Sequence, residues 1–256
     1  MTKLSIHMFP ALRDNYGFLI HDPEHGLTGV IDTPEVAAIE AALAETGWTL
    51  THILNTHHHA DHAGGNLELK RKTGCTVIGP RAEAQRIPGL DVAVGDGDVV
   101  AFGAHELHVL DVPGHTAGHI AYWCKDQKVA FVGDTLFALG CGRLFEGTPA
   151  QMWQSLSKLM QMPDETRIYC AHEYTQANAR FALTVEPQNA ALVERASEID
   201  ALRARGAPTV PSTMGVEKAT NPFLRPTSRD LQATLNMEGA DPVSVFAETR
   251  RRKDAF

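Results

Sequence analysis

No two cysteines in this chain stand in a C-x-x-C spacing, and the four present (Cys75, Cys124, Cys141 and Cys170) form no regular framework. That excludes a disulfide-stapled scaffold and points to a reduced, intracellular protein. No apolar run approaches the roughly 20 residues that cross a membrane. No apolar core follows a basic start either, so a signal peptide is not expected and a cytoplasmic location is. Basic residues are the minority, 23 against 31 acidic for a net charge of −8; a dedicated nucleic-acid binder needs the opposite balance. There is no internal repeat or low-complexity tract, and no heptad run demands assembly, so a monomer is expected. With 256 residues, the chain is long enough for a real core and for one large domain or one with a smaller partner.

Histidine, by contrast, is abundant: 13 in all, five of them between His52 and His62. The stretch Thr56-His57-His58-His59-Ala60-Asp61-His62, followed by Ala63-Gly64-Gly65, places four potential metal ligands in a pattern H-x-H-x-D-H. In an extended segment alternate side chains share a face, so His57 and His59 point together while His58 points away. Asp61 and His62 follow where the chain can turn, and they aim at a second point beside the first. Such a loop suits two adjacent metal ions. Imidazole nitrogen with carboxylate favours zinc, and iron or manganese also accept it. The competing reading, a chance histidine run in a solvated loop, fits poorly with the apolar Ile53-Leu54 before it and the Gly-Gly turn after it.

The chain around this stretch reads as layered. Alternation in residues 4–8, the apolar run 18–20 and the segment 29–31 predict three strands, with Asp14-Asn15-Tyr16-Gly17 as turn chemistry. Asp32-Thr33-Pro34-Glu35 reads as a helix start, Asp32 supplying the capping oxygen, with the helix running to Gly47. Residues 51–54 read as a short buried strand whose C-terminal end carries the ligand stretch, the usual place for ligands in layered α/β architectures. A helix over 67–72, strands over 76–78, 105–112, 118–124, 128–132 and 167–170, and a helix around Met152, Leu156 and Leu159 follow. After His172 the spacing is helical throughout (175–183, 189–205, 228–237 and 243–252) with no strand pattern, and Gly206-Ala207-Pro208 and residues 211–215 serve as punctuation. Residues 1–172 therefore read as the main domain and 173–256 as a helical appendage.

Three further candidates stand at strand ends: His115 in Pro113-Gly114-His115, Asp134 in Gly133-Asp134-Thr135 and His172 in Ala171-His172-Glu173. Each alone reads as an ordinary surface histidine or turn aspartate. Together with the first stretch they supply five histidines and two aspartates. His57, His59 and His115 can make one site, Asp61, His62 and His172 a second, with Asp134 bridging. This order resembles the metallo-β-lactamase superfamily. The resemblance implies an α+β fold, a four-layer αββα sandwich with two metals at one edge of its sheets and, here, a C-terminal all-helical domain. It also implies that Asp32 is a buried residue behind the ligands rather than a ligand itself.

Metals name a reaction type but no substrate. Gly140-Cys141-Gly142-Arg143-Leu144-Phe145-Glu146-Gly147-Thr148, His172-Glu173-Tyr174-Thr175 and the terminal run Arg250-Arg251-Arg252-Lys253-Asp254 resemble the hydroxyacylglutathione hydrolase (glyoxalase II) family. That resemblance covers nearly the full length. It implies hydrolysis of S-D-lactoylglutathione to D-lactate and glutathione, the second step of methylglyoxal detoxification, with Arg143, Tyr174, Arg250 and Lys253 holding a small-molecule glutathione thioester. Cationic side chains are natural clamps for the two carboxylates of glutathione. Two positions depart from the family: Arg143 stands where other members carry Lys, and Phe145 where some have Tyr. Taken alone, residues 250–253 would read as a solvated terminal charge run and Tyr174 as core packing.

The expected chemistry is attack of a metal-bridging hydroxide on the thioester carbonyl, with Asp134, Asp61 and His62 as the residues nearest the reaction. Three other readings compete. A glutathione persulfide dioxygenase with a single iron would leave Asp61 and His172 idle. A nuclease of the same superfamily is disfavoured by the charge of −8. A structural zinc module is disfavoured because none of the seven ligands is cysteine.

Overall fold

The computed structural model describes residues 3–256. The first three segments of alternating or continuous apolar residues form an antiparallel meander, β1 (Ser5–Ala11), β2 (Asn15–Asp22) and β3 (Leu27–Ile31). After helix α1 (Val36–Thr46), strand β4 (His52–Leu54) joins parallel to β3. Helices α2 (Ala60–Ala63) and α3 (Asn66–Thr73) lead to β5 (Thr76–Pro80) and β6 (Val92–Val94), which extend the sheet in parallel. Four strands joined as successive antiparallel hairpins follow: β7 (Val99–Phe102), β8 (His105–Asp111), β9 (Ile120–Cys124) and β10 (Val129–Gly133). All these elements lie in one compact unit, which ends at Asp111 and resumes over Ala117–Gly133.

Within that unit the six-stranded sheet is covered on both faces. That is why residues 18–20 read as an unbroken apolar run rather than an alternation. Phe18 points into the second sheet and meets Phe131 of β10 at a ring separation of 5.7 Å. Tyr122 of β9 donates its hydroxyl to the Asn55 carbonyl at 2.9 Å, so its buried polar end is satisfied. Leu19, Val30, Ile53 and Val77 point the other way and pack with Ile39 and Ala42 of α1 and Leu69 of α3 in one buried cluster. Truncating any of these large side chains to Ala would cost about 2–5 kcal/mol.

One local expectation is corrected. Asp32 does not cap α1; the helix begins four residues later, and its N-cap, Glu35, makes no side-chain cap bond. Asp32 adopts a positive φ of 59°, a conformation that Asp tolerates better than most residues. Its carboxylate is turned towards the ligand stretch instead. The anticipated turn at residues 14–17 is also displaced, since Asn15 already opens β2.

The second compact unit comprises Val112–Thr116 and Asp134–Phe256. It holds the two-residue pair β11 (Leu136–Phe137) and β12 (Gly140–Cys141), helix α4 (Pro149–Leu159), strand β13 (Arg167–Cys170), and helices α5 (Thr175–Val185) and α6 (Ala190–Ala204). Strand β14 (Ser212–Thr213) and helices α7 (Met214–Thr220), α8 (Arg229–Leu235) and α9 (Pro242–Asp254) complete it. A full capping box between Thr148 and Gln151 starts α4. Strand β14 pairs antiparallel with β13, so the stretch after residue 172 is not purely helical; two residues are too few to show a period. Helix α7 lies where punctuation suggested a loop, with Thr213 accepting from the Val216 amide as its cap. The carboxylate of Glu217 on α7 is fully buried. It accepts from the Leu139 amide at 2.9 Å and from Arg195 at 2.5 Å, which fixes the β11–β12 loop against the helices. Among the described residues no helix is long and apolar enough to cross a membrane.

Candidate metal centre and substrate-binding residues

Strand β4 ends at Leu54, and the candidate ligands His57, His59, Asp61 and His62 follow it directly. His57 and His62 are buried. His57 Nε2 lies 3.0 Å from His59 Nδ1. Asp61 and His62 fall on the short helix α2, which turns them off the extended run, and His62 Nε2 lies 3.4 Å from Asp61 Oδ2. His58 points off the ligand face as expected: its amide and its Nδ1 meet Glu83 Oε2 at 2.8 and 2.7 Å.

The hydrogen bonds behind these rings set their tautomers. Thr56 Oγ1 donates its one proton to Asp32 Oδ2 at 2.8 Å. It can therefore only accept from His57 Nδ1, which lies 3.0 Å away. His62 Nδ1 lies 2.8 Å from Asp32 Oδ2, an acceptor, so it too carries the proton. Both rings thus present Nε2 as a lone pair, the form that binds a metal, oriented by a carboxylate and a hydroxyl. Asp32 is buried and stands behind the candidate ligand His62, and through Thr56 behind His57. Asn15 was overlooked at that stage; its amide donates to Asp61 Oδ2 at 3.1 Å and orients that carboxylate.

The second unit holds its own half of the donor set. His115 and His172 flank Asp134, with His115 Nε2 3.4 Å from Oδ2 and His172 Nε2 3.4 Å from Oδ1. His115 Nδ1 lies 2.9 Å from the Arg143 carbonyl, an obligate acceptor, so its Nε2 again carries the lone pair. A carboxylate oxygen facing an imidazole lone pair is repulsive unless a cation lies between them. At 3.4 Å the atoms are also further apart than the 2.7–2.9 Å of a charge-assisted hydrogen bond. This spacing suits ligands that share an ion. Close packing holds Asp134 there: a Cβ on Gly142 would come within 2.0 Å of the Asp134 carbonyl.

The four residues implied for substrate binding also belong to this unit. Tyr174 stacks on the His172 ring, with centroids 4.7 Å apart and planes within 3°, and Phe137 meets both rings edge-on. Its ring is more than a third exposed, so it is not core packing. Nor is the terminal basic run a frayed tail; it completes α9. Arg251 and Arg252 turn to Glu248, whereas Arg250 and Lys253, one turn apart, share another face. Arg250 is buried. It donates Nη1 to the Cys141 carbonyl at 3.0 Å and pairs with Asp254 at 2.7 Å. Burial, with Arg250 and then Arg143 nearby, holds the Lys253 ammonium below the ordinary lysine value. Three cations therefore stand close enough to repel. Phe145, where a tyrosine hydroxyl is absent, is exposed, and its ring meets that of His115 edge-on at 5.2 Å.

Two further residues escaped the sequence reading. His119 is fully buried with its ring stacked on His57 at 4.6 Å; its place before β9, after Gly118, resembles the ligand positions and was a usable signal. Glu83 accepts from Gly118 N at 2.9 Å as well as from His58, and nothing in its sequence neighbourhood marks it.

Two packed sheets with His/Asp sets at their strand ends define the metallo-β-lactamase fold, and the model of that superfamily matches residues 26–172. A solved structure with the same fold, ETHE1 from Myxococcus xanthus, is 27% identical with a TM-score of 0.67, covering 98% of this chain and 99% of its own. The model of the hydroxyacylglutathione hydrolase C-terminus matches residues 173–256. The hydroxyacylglutathione hydrolase of Maricaulis maris (strain MCS10) is 57% identical over 256 residues, 100% of both chains. That of Methylococcus capsulatus is 56% identical over 253 residues, 99% of each. The chain belongs to the hydroxyacylglutathione hydrolase family and is a hydrolase. Its family and its His/Asp groups imply a divalent metal pair.

Proposed function

We propose that the chain hydrolyses S-D-lactoylglutathione, and 2-hydroxyacylglutathione thioesters of its kind, to a 2-hydroxy acid and glutathione. In this reading His57, His59 and His115 would hold one divalent ion and Asp61, His62 and His172 the other, with Asp134 serving both. The observation that carries it is the set of fixed tautomers: three histidines with Nδ1 committed to Thr56, Asp32 and the Arg143 carbonyl. Zinc suits these donors best, with iron and manganese as alternatives. When bound, the pair supplies an activated water near neutral pH and polarises the thioester carbonyl.

The chain's own residues do the rest. Asp134, Asp61 and His62 hold the reacting centre in place, with Asp32 and Asn15 fixing the latter two. Arg143, Arg250 and Lys253 present positive charge to the glutathione carboxylates, and Tyr174 packs beside them on His172. Arg250 also anchors the Cys141–Arg143 segment, so it links substrate binding to the carbonyl that sets His115. A glutathione thiolate leaves without a dedicated acid. We assign the chemistry to residues 1–172 and the thioester's recognition mainly to 173–256, with Arg143 as the exception. One chain supplies every donor, so a monomer suffices. Four free, buried cysteines suit a reducing cytoplasm.

A single-iron dioxygenase reading would leave Asp61 and His172 of the second group without a task. The relatives at 56–57% identity, named hydrolases, also stand far nearer than the 27% neighbour. The test is loss of thioester absorbance from S-D-lactoylglutathione, with and without chelator. Rapid, chelator-sensitive loss is expected. No loss from protein carrying two metals per chain would reject the substrate.

A further inference from the structure

At the opposite end of the second sheet lies another donor cluster. His105 opens β8, Cys124 closes β9, and Asp126 lies in the turn before β10. His105 Nδ1 is 2.8 Å from Asp126 Oδ2, and Cys124 Sγ is 3.2 Å from Asp126 Oδ1. The other ends of β9 and β10 carry His119 and Gly133, which lie against His57 and Thr56. A strand the length of β8 spans about 20 Å, so the cluster is well clear of the H-x-H-x-D-H loop.

We propose that His105, Cys124 and Asp126 form a further metal site that takes a single zinc-like divalent ion. Nitrogen, sulfur and carboxylate donors together are a zinc set. Their ligand atoms lie within 4.8 Å of one another. Around a tetrahedral zinc with bonds of about 2.0–2.3 Å, ligand atoms sit roughly 3.3–3.8 Å apart, so the His105–Asp126 pair, at 2.8 Å, needs to open by only about half an ångström. Asp126 is the side chain that can move, because it is partly exposed on the hairpin turn while His105 and Cys124 are buried. That side also leaves the fourth position to solvent.

Among the described residues Cys124 is the one cysteine that belongs to such a group. Binding releases the Cys124 thiol proton to solvent and shifts the His105 proton from Nδ1 to Nε2, leaving thiolate and a neutral imidazole as ligands. The occupied site would clamp the β7–β8 and β9–β10 hairpins together at the sheet end remote from the chemistry.

Cobalt distinguishes this site from the catalytic one, whose proposed ligands include no sulfur. Cobalt(II) added to the full-length, chelator-stripped chain should produce a near-ultraviolet thiolate-to-cobalt charge-transfer band at one equivalent of thiolate per chain. Cys124→Ser should abolish it. Asp126→Asn, a change on an exposed turn that the fold tolerates, should weaken cobalt binding at this band by on the order of tenfold or more. No band in the cobalt-saturated natural chain would overturn the proposal. So would a band that survives Cys124→Ser, or an affinity unmoved by Asp126→Asn.

Discussion

The two halves of the donor set are built in different ways. In the first unit four candidate ligands come from six consecutive residues, and what holds them is nearly local: Thr56 is adjacent, and Asp32 arrives from the neighbouring parallel strand. In the second unit each candidate ligand comes from a different segment, and the atom that sets the His115 tautomer is a backbone carbonyl. That carbonyl depends in turn on Gly142 fitting against Asp134 and on Arg250 reaching across from α9. The contiguous half resists rearrangement because the chain itself spaces it. The assembled half depends on packing, and so on residues that never touch a metal.

Breaking the assembled half at its centre should have the largest effect. Asp134→Ala should lower turnover by about 10³-fold or more, several kcal/mol of transition-state stabilisation. Thioester hydrolysis measured alongside metal content checks it, and a fully active, metal-replete variant would sink the scheme. Gly142→Ala places a methyl group within 2.0 Å of the Asp134 carbonyl. Something must shift, and a displacement near 1 Å is worth on the order of 10²-fold in rate. An unchanged kcat would show that the assembled half tolerates such a shift.

The matching test of the local half is Asp32→Asn, which removes the charge behind His62 while keeping the shape. Metal affinity, read by chelator competition, should fall about 10–100-fold, with less effect on kcat once metal is saturating.

The proposed substrate contacts come next. Lys253→Met should raise KM by roughly tenfold, the value of one charged hydrogen bond, and leave kcat alone. The protonated ammonium is the binding form, and its pKa lies below the ordinary 10.5. KM should therefore be lowest below that depressed value and rise as pH passes through it, earlier than for an ordinary lysine. The alkaline rise should vanish in Lys253→Met. The smallest effect belongs to Phe145→Tyr, which returns a phenolic hydroxyl near His115. KM for the glutathione thioester should fall a few-fold, in line with about 0.5–1.5 kcal/mol for a neutral hydrogen bond; a KM that does not fall would leave this hydroxyl out of recognition.

Much of the first unit is legible because its signals are short-range. Alternation and apolar runs give the strands, and ligand spacing gives the metal loop. Asp32 misled as a helix cap because its residue type suits both roles, and only the positive φ and the proximity of β4 decide between them. Glu83 and Asn15 were invisible because their partners lie 25 or more residues away. In the second unit β11, β12 and β14 are two-residue strands below any period, and α7 hides behind Pro211 and Gly215. Arg250 and Lys253 are separated from Arg251 and Arg252 by helical phase alone, which matters only once α9 has something to face.

By itself the order of residues determined the donor types, their contiguity in the H-x-H-x-D-H loop and the placement of each later ligand at a strand end. Those features follow from covalent spacing and from periods of two and 3.6. The tertiary structure alone decided which nitrogen of His57, His62 and His115 carries the proton, that Arg250 is turned inward, and that His105, Cys124 and Asp126 meet at one sheet end. Each of these depends on hydrogen-bond partners and packing surfaces supplied by chain segments distant in sequence, and no local pattern carries them.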